Sequence, residues 1–325
     1  MKRIFAFAAM LLGAVTLAAI TTCARAAGYP EHPVKIIVPF PAGGITDVVA
    51  RLVAQHLSER LGQQFFVTDI GGAGGNIGMG DAARAHGDGY TLLFASSSMV
   101  VNPSLYKNVP YDIGKDFIPI SKIGGTPNSW LVNNDFPAQT MHDLVTLLKA
   151  NPGKYSVASP GSGTTASLSI EMLRQDLHLN FVVVPFTGGG PFNQSVLGGF
   201  TPIGCSAYGN TAPIILAGKV HTLAIASKTR LQALPKVPTL EEEGIKGEEA
   251  ETMAGALAPA GTPTPIVELL QKQIAEIVRM PDVQQKLLSF GIVPDGGPSA
   301  DFAAYIRDEV AKWKRVIEAG KIDKI

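Results

Sequence analysis

The 325-residue sequence has only two cysteines, Cys23 and Cys205, and no excess of charge of either sign. Balanced charge, with no stripe of Lys or Arg, argues against nucleic-acid binding, for which a basic surface is typical. The histidines are scattered, with no pair at the i, i+4 spacing of a metal-binding helix and no Cys/His cluster. We therefore predict no metal site. The sequence also lacks a Walker motif and a G-x-S-x-G nucleophile elbow.

Long hydrophobic runs are also scarce, and the one that stands out lies at the N-terminus. Lys2 and Arg3 form a basic start, Ile4–Ile20 is apolar, and Ala24-Arg25-Ala26 is a typical cleavage signature. The pattern predicts that residues 1–26 are a cleaved secretory signal peptide. The alternative is an uncleaved membrane anchor, although the run is at the short end for a membrane span.

Cleavage would change the cysteine count and the charge of the chain. Three basic residues and Cys23 would be lost, leaving a mildly acidic protein with Cys205 alone, so no internal disulfide is possible. Cys205 follows Ile203 and Gly204 in an apolar context, which favours a buried, unreactive thiol over a nucleophile.

The most informative stretch is VKIIVPFPAGGITD, residues 34–47. The β-branched run Val34–Val38 predicts a buried strand, and the pattern after Gly43 and Gly44 predicts a helix that ends near Leu61. A strand, a glycine loop and a helix N-terminus form a site that suits an anion, because the first helical N–H groups are free and the helix dipole is positive there. The alternative is a plain strand-to-helix turn that binds nothing.

Asp47 is the most interesting carboxylate of this stretch. It can accept hydrogen bonds from a ligand or from a loop N–H group. Alternatively, it can cap the helix start and complement the helix dipole. The sequence leaves these roles open.

Strand and helix patterns alternate along the rest of the chain, which predicts parallel sheets covered by helices. A second copy of the opening pattern runs from a strand at Tyr155–Ala158 through the small-residue loop Ser159–Thr165 to a helix at Ala166–Leu177. Two such sets suggest two lobes whose helix N-termini face each other across a cleft. Other predicted strands are Phe65–Thr68, Tyr90–Ala95, Phe117–Ile123, Trp130–Val132, Phe181–Val184, Ile203–Ser206 and Thr222–Ala226. Other predicted helices are Ala82–Ala85, Thr140–Ala150 capped by Thr140, Gln194–Leu197, Ala212–Ala217, Pro265–Arg279, Val283–Ser289 and Ser299–Ala319 capped by Ser299.

Three further patterns are candidates for a nucleotide site, for catalysis or for binding through acidic side chains, and each supports such a site only weakly. The glycine-rich loop Gly71–Gly80 fits the dinucleotide fingerprint poorly, so we predict no nucleotide cofactor and no cofactor of another kind. A secreted α/β enzyme, with Asp47 as base and Ser162 as nucleophile, is the alternative from a different class. The acidic runs Glu241–Glu243 and Glu248–Glu249 are interpreted as solvated surface.

Several segments, taken together, are characteristic of one family. They are YPEHPVKIIVPFPAGGITDVVAR, GGAGGNIG, DGYTLL, ASPGSGTTASL, VVPFTGGGP, LAGK, LPKVPTLEEEG and LAPAGTPTPIV. In these segments the sequence resembles the Bug/TctC family, periplasmic solute-binding proteins of tripartite tricarboxylate transporters, along essentially the whole mature chain.

The resemblance implies a fold and a domain organisation. We expect a two-lobe, type II (Venus-flytrap) α/β periplasmic binding protein, each lobe a mostly parallel sheet flanked by helices. Lobe 1 would comprise residues 27–125 and 228–325, and lobe 2 residues 126–227, with the chain crossing near Gly124–Asn128 and Ala226–Arg230. The C-terminal helices could pack on both lobes. We expect a monomer.

The resemblance also implies a function without catalysis. A periplasmic receptor would capture a small carboxylate, a dicarboxylate or an aromatic carboxylate, between its lobes and deliver it to membrane transporter subunits. An alternative partner is a sensor kinase. Carried onto this sequence, the ligand-binding residues would be Phe40, Ala42, Gly43, Gly44, Thr46, Asp47, Ser96, Ser97, Ser159, Gly161, Ser162, Gly163, Thr164, Thr165, Phe186 and Thr187.

The chain departs from the family pattern mainly in the second lobe. The departures are Ser167, Phe186-Thr187, Thr201-Pro202, Cys205-Ser206 and Met253. Because Phe186 and Met253 replace more polar or larger groups, we hypothesise a ligand with a smaller or more apolar tail.

Overall fold

The computed structural model describes residues 28–325; the predicted signal peptide, residues 1–26, lies outside this range. Within it the chain forms ten strands and ten helices. The strands are β1 (Val34–Val38), β2 (Phe65–Asp69), β3 (Thr91–Ser96), β4 (Phe117–Asn133), β5 (Ser156–Ser159), β6 (Val182–Pro185), β7 (Ile203–Ala207), β8 (Val220–Ile225), β9 (Glu251–Pro259) and β10 (Val293–Pro294). The helices are α1 (Ile45–Leu61), α2 (Asn76–Ala83), α3 (Ser98–Leu105), α4 (Met141–Ala150), α5 (Thr165–Asp176), α6 (Gly189–Leu197), α7 (Tyr208–Leu216), α8 (Thr264–Val278), α9 (Pro281–Ser289) and α10 (Ser299–Ala319).

Two parallel groups of strands are joined by antiparallel ones. The sheet order is β2-β1-β3-β9-β4-β7-β5-β6, with β8 and β10 also paired to β4. In the first half, β1 runs parallel to β2 and β3; in the second half, β5 runs parallel to β6 and β7. The antiparallel strands β4 and β9 link the halves. The alternation of strands and helices predicted this α/β architecture.

Strand β4 belongs to both halves. Its residues 117–127 pair with β9, while residues 128–132 pair with β7 and residues 129–133 with β8, both in the second half. The sequence predicted two separate strands here, Phe117–Ile123 and Trp130–Val132, whereas the structure has one continuous strand that runs through Gly124 and Gly125. The glycines serve close packing inside a continuous strand: a Cβ at Gly124 would overlap the Val293 carbonyl oxygen, and one at Gly125 would overlap the Glu251 carboxylate.

Most predicted elements agree with the structure, and the exceptions have local causes. Thr140 caps α4 as predicted, accepting a hydrogen bond from the Asp143 N–H at 3.0 Å. Ser299 does not cap α10, because the N-cap is Pro298 and the Ser299 hydroxyl donates to the Pro119 carbonyl. Helix α2 begins at Asn76, inside the stretch predicted to be a loop. Strand β9 and helix α3 were not predicted.

Helix α10 ties the two halves together. Its residues Phe302, Ile306, Trp313 and Ile317 are buried as predicted, and Val310 is half-buried. The helix packs against α3 and β4 and also against α5 of the second half. None of the helices formed by residues 28–325 has the length and apolar character that crossing a membrane requires.

The sequence interpretation is confirmed for Cys205, which was expected to be buried, and is wrong for Glu248, which was expected to be solvated. Cys205 is fully buried as predicted, and burial raises the pKa of its thiol. Glu248, predicted to be solvated, is only 1% exposed, and neither of its carboxylate oxygens has a hydrogen-bond partner. Close by, the Ala250 N–H donates to the Ala226 carbonyl, which connects the backbone of this segment to the end of β8. Burial, reinforced by the nearby Asp176 carboxylate, raises the pKa of Glu248 to about 8.

Candidate functional site

A cavity of about 290 Å³ lies between the two halves of the sheet. Its walls come from strand-to-helix junctions, and its floor comes from β4 and β9. The lining residues are Ile45, Thr126, Pro160, Thr164, Thr165, Ala166, Gly188, Gly189, Ala207, Gly209, Asn210, Thr252 and Phe290.

Four helix N-termini converge on this cavity. Ile45 is the first residue of α1, Thr165 of α5 and Gly189 of α6, while Gly209 lies in the first turn of α7. The first N–H groups of a helix have no partner within the helix, and the aligned peptide dipoles make that end positive. Among the described residues that line the cavity there is no Lys, Arg, Asp or Glu. The arrangement therefore suits an anion held by backbone N–H groups.

The loop before α1 is shaped by Asp47. Gly43 has φ +82°, and its N–H donates to Asp47 Oδ2 at 2.7 Å. Arg51 Nε lies 2.6 Å from Asp47 Oδ1, and Arg51 Nη2 lies 2.7 Å from Asp69 Oδ2. Burial and the neighbouring Asp47 carboxylate raise the pKa of Asp69. With 3% exposure and both oxygens engaged by the protein, Asp47 fits the helix-start role better than that of a ligand acceptor.

We expect Asp47→Ala to lower the stability of the protein by about 1.5–3 kcal/mol, the range for losing a charge-assisted hydrogen bond. Urea unfolding measures this loss. Because the Gly43 N–H would lose its acceptor, the loop should also lose its shape, and anion affinity should fall about tenfold. Asp69→Asn is the control, since it removes the second contact of Arg51 but leaves the bond from Gly43 to Asp47. Equal losses of affinity in both variants would contradict this role for Asp47.

The two loops of the second half are held together by their backbones. The Phe186 N–H donates to the Ser159 carbonyl at 2.9 Å, and the Gly188 N–H donates to the Pro160 carbonyl at 2.8 Å. Thr164 caps α5: its hydroxyl oxygen accepts from the Ser167 N–H at 3.1 Å. These bonds place the N-termini of α5 and α6 side by side.

Threonines form the floor of the cavity. Thr126 and Thr252 are cross-strand partners on β4 and β9. The Thr252 hydroxyl lies 2.9 Å from that of Thr165, and the Thr126 hydroxyl accepts from the Gly209 N–H at 3.0 Å. These contacts connect the linking strands directly to the first turns of α5 and α7.

The two serines predicted at the end of β3, Ser96 and Ser97, lie outside the cavity lining. The Ser97 hydroxyl accepts from the Met253 N–H at 2.8 Å and donates to the Glu251 carbonyl at 3.1 Å, which fixes α3 to β9. Ser96 is buried, with its hydroxyl 3.3 Å from that of Ser98.

The other predicted residues are placed as follows. Thr164 and Thr165 line the cavity. Thr46 and Ser159 are buried, whereas Phe40 and Phe186 are half-buried. The loop positions Ala42, Gly43, Gly44, Ser162 and Thr187 are exposed; Gly161 and Gly163 are half-buried, with φ of +154° and +74°.

Sequence reasoning missed most of the lining residues. Ala207, Gly209 and Asn210 could have been found, because they lie where strand β7 ends and helix α7 begins, at a third strand-to-helix junction. Thr126, Thr252 and Phe290 carried no such signal, since they meet only in the folded chain. None of the departures from the family pattern lines the cavity; Met253, for example, is 1% exposed and packs in the core.

Comparisons with known proteins agree with this architecture. Residues 49–322 match the model of the tripartite tricarboxylate transporter family receptor. The chain is 32% identical over 305 residues to BugT of Bordetella pertussis, covering 93% of this chain and 94% of BugT. Its structure is similar to that of an R. palustris protein with adipate (30% identity, TM-score 0.78, 91% of this chain and 100% of the other). It is also similar to MatC from Rhodopseudomonas palustris with bound malate (29% identity, TM-score 0.74, 89% and 100%). The family match and these likenesses confirm the predicted two-lobe periplasmic binding protein fold, and the chain belongs to the tripartite tricarboxylate transporter receptor family.

Proposed function

We propose that this protein is a periplasmic receptor that captures a small dicarboxylate between its two lobes. The observation that carries the proposal is the convergence of four helix N-termini on one cavity whose described lining has no charged side chain. Backbone N–H groups and helix dipoles provide a fixed positive potential for carboxylate groups. Partially positive helix ends on opposing walls suit a ligand with an anionic group at each end.

The size of the cavity and the relatives both favour a short ligand. A cavity of about 290 Å³ is at the small end of the range for ligand sites. Malate and adipate, present in the structures of two relatives, each carry two carboxylates. The apolar side chains of Ile45 and Phe290 would contact the carbon chain between them. An aromatic carboxylate is the second ligand class that the sequence suggests.

We further propose how the receptor works in the cell. Lobe closure would bury the carboxylate, and membrane subunits of a tripartite transporter would receive it from the closed protein. The signal peptide predicted at residues 1–26 would deliver the chain to the periplasm. The lobe division drawn from the sequence stays a prediction at its first crossing, near Gly124–Asn128. For the second crossing we propose β9 in place of Ala226–Arg230, because Leu231 packs in the core of the second half. The lobes would then rotate about β4 and β9.

Isothermal titration of the mature chain tests this proposal. We expect malate or adipate to bind and to raise the melting temperature, with about 2.7 kcal/mol of added stability at a ligand concentration a hundredfold above Kd. Acetate, with one carboxylate, should bind far more weakly, and benzoate distinguishes the aromatic class. Unaltered ligand recovered after incubation would argue against an enzyme. If none of these carboxylates bound, the proposed ligand class would be wrong.

A further inference from the structure

A second and larger cavity, of about 1080 Å³, is not used by the proposed function. We name it the back crevice. Its floor includes Pro127 of β4 and Glu251 of β9. One wall is the segment Ser227–Ala233 that follows β8, together with Tyr208. The other wall is built from the ends of α9 and β10 and from α10.

The same two strands form the floor of both cavities. Successive side chains of a strand point to opposite faces of the sheet. On β4, Thr126 lines the cavity between the helix N-termini and Pro127 lines the back crevice. On β9, Thr252 lines the first cavity and Glu251 lines the crevice. The two cavities therefore lie on opposite faces of the strands that link the halves.

A tight backbone contact separates the two cavities. A Cβ on Gly209 would lie 2.6 Å from the Phe290 carbonyl oxygen, and a Cβ on Gly291 would lie 2.8 Å from the Gly209 Cα. Gly209 and Phe290 line the first cavity, while Tyr208 and Gly291 line the crevice. The second half thus touches the α9–β10 connection at the boundary between the two spaces.

Three of the four cationic side chains that line the crevice, Lys122, Arg230 and Lys312, have acidic partners. Lys122 contacts Glu251 and lies 3.6 Å from Asp295, and Lys312 lies 2.5 Å from Glu309. Arg230 pairs with Glu242 at 2.8 Å. Because these cations already have partners, the crevice offers little to recognise a charged solute. The crevice matters because it lies across β4 and β9 from the ligand cavity.

We infer that the back crevice opposes the ligand cavity mechanically, so that its lining residues set ligand affinity without touching the ligand. This inference rests on the proposed function. When two bodies rotate about the strands between them, a space on one face narrows as the space on the other face widens. Closure around a carboxylate therefore opens the crevice. Side chains that favour a wide crevice strengthen ligand binding, and contacts that hold it narrow weaken binding, since a ligand shifts the lobe equilibrium by its differential affinity.

Adding bulk to the crevice tests the inference. Val293 is 44% exposed and lines one wall, and Ala233 is exposed on the other, so tryptophan at either position costs little core packing. For Val293→Trp combined with Ala233→Trp we expect the Kd for malate or adipate to fall about threefold or more, because a larger closed fraction raises apparent affinity in proportion. Most of the change should be in the dissociation rate.

Leu216→Trp is the matched control, because Leu216 is 64% exposed on α7 and does not line the crevice. Fluorescence energy transfer between labels at Ser58 of α1 and His142 of α4 reports the lobe separation without ligand. The double variant should be more closed than the wild type and the control. Unchanged separation, or affinity equal to that of the control, would overturn the inference. If no carboxylate binds the wild type, the proposed function fails, yet the separation without ligand still decides this inference.

Discussion

In the Asn210→Asp variant, the affinity for the carboxylate ligand is expected to fall roughly 30- to 150-fold. This corresponds to about 2–3 kcal/mol of repulsion between two like charges about 5–8 Å apart at an effective dielectric constant of about 20. Asn210 is exposed, lines the cavity and lies in the first turn of α7. The substitution has nearly the same shape and adds one negative charge where the ligand's carboxylate would lie.

The fold should tolerate this change. An aspartate in the first turn of a helix interacts favourably with the helix dipole, so the melting temperature of the ligand-free variant should stay the same or rise slightly. Asn134→Asp provides the control, because Asn134 is exposed and does not line the cavity; its side chain donates to the Gly218 carbonyl. Isothermal titration at low salt measures the loss. Undiminished affinity in Asn210→Asp would place the anion site elsewhere.

The Glu248→Gln variant should be more stable than the wild type at pH 9 and similar to it at pH 4. The pKa of Glu248 is raised from 4.5 to about 8 in the folded protein. The folded state therefore holds a proton that the unfolded chain releases above about pH 4.5. Since the folded state binds more protons, stability falls as the pH rises from about 4.5 to about 8 and then levels off.

The size of this effect follows from the shift. Each pKa unit corresponds to about 1.4 kcal/mol, and allowing for relaxation around the ionised group we expect a gain of about 2–4 kcal/mol at pH 9. Urea unfolding at several pH values measures the difference between variant and wild type, which cancels other titrating groups. Glu241→Gln, in the exposed part of the same segment, is the control. A pH-independent difference would show that Glu248 is not the group responsible.

Local chemistry explains why much of the fold could be predicted. Val34–Val38, the helix to Leu61 and the Thr140 cap are fixed by apolar periodicity, glycine and capping residues within a few positions in the sequence. The prediction failed between Ile123 and Trp130, where two separate strands were expected and one continuous strand is found. Gly124 and Gly125 let Val293 and Glu251 approach β4, and these residues are more than 120 positions away.

Site residues with a local sequence pattern were also predicted, whereas a residue whose environment depends on the fold was not. Thr164 and Thr165 were found because a small-residue loop before a helix has a recognisable pattern, and the whole-chain resemblance correctly identified the family. Glu248 was misjudged because an acidic residue in a polar segment is usually solvated. Only the path of the chain past Ala226 and Ala250 buries it.

The sequence by itself determined the α/β architecture, the glycine loops and the family, because these depend on residue types repeated at short spacing. The tertiary structure alone decided which residues surround the cavity. Thr126 and Thr252 become neighbours only when β4 and β9 pair, and Phe290 reaches the same cavity from a distant part of the chain. It also decided that the same strands separate two cavities. Side-chain alternation assigns neighbouring residues to opposite faces, but only the packed lobes determine what lies above each face.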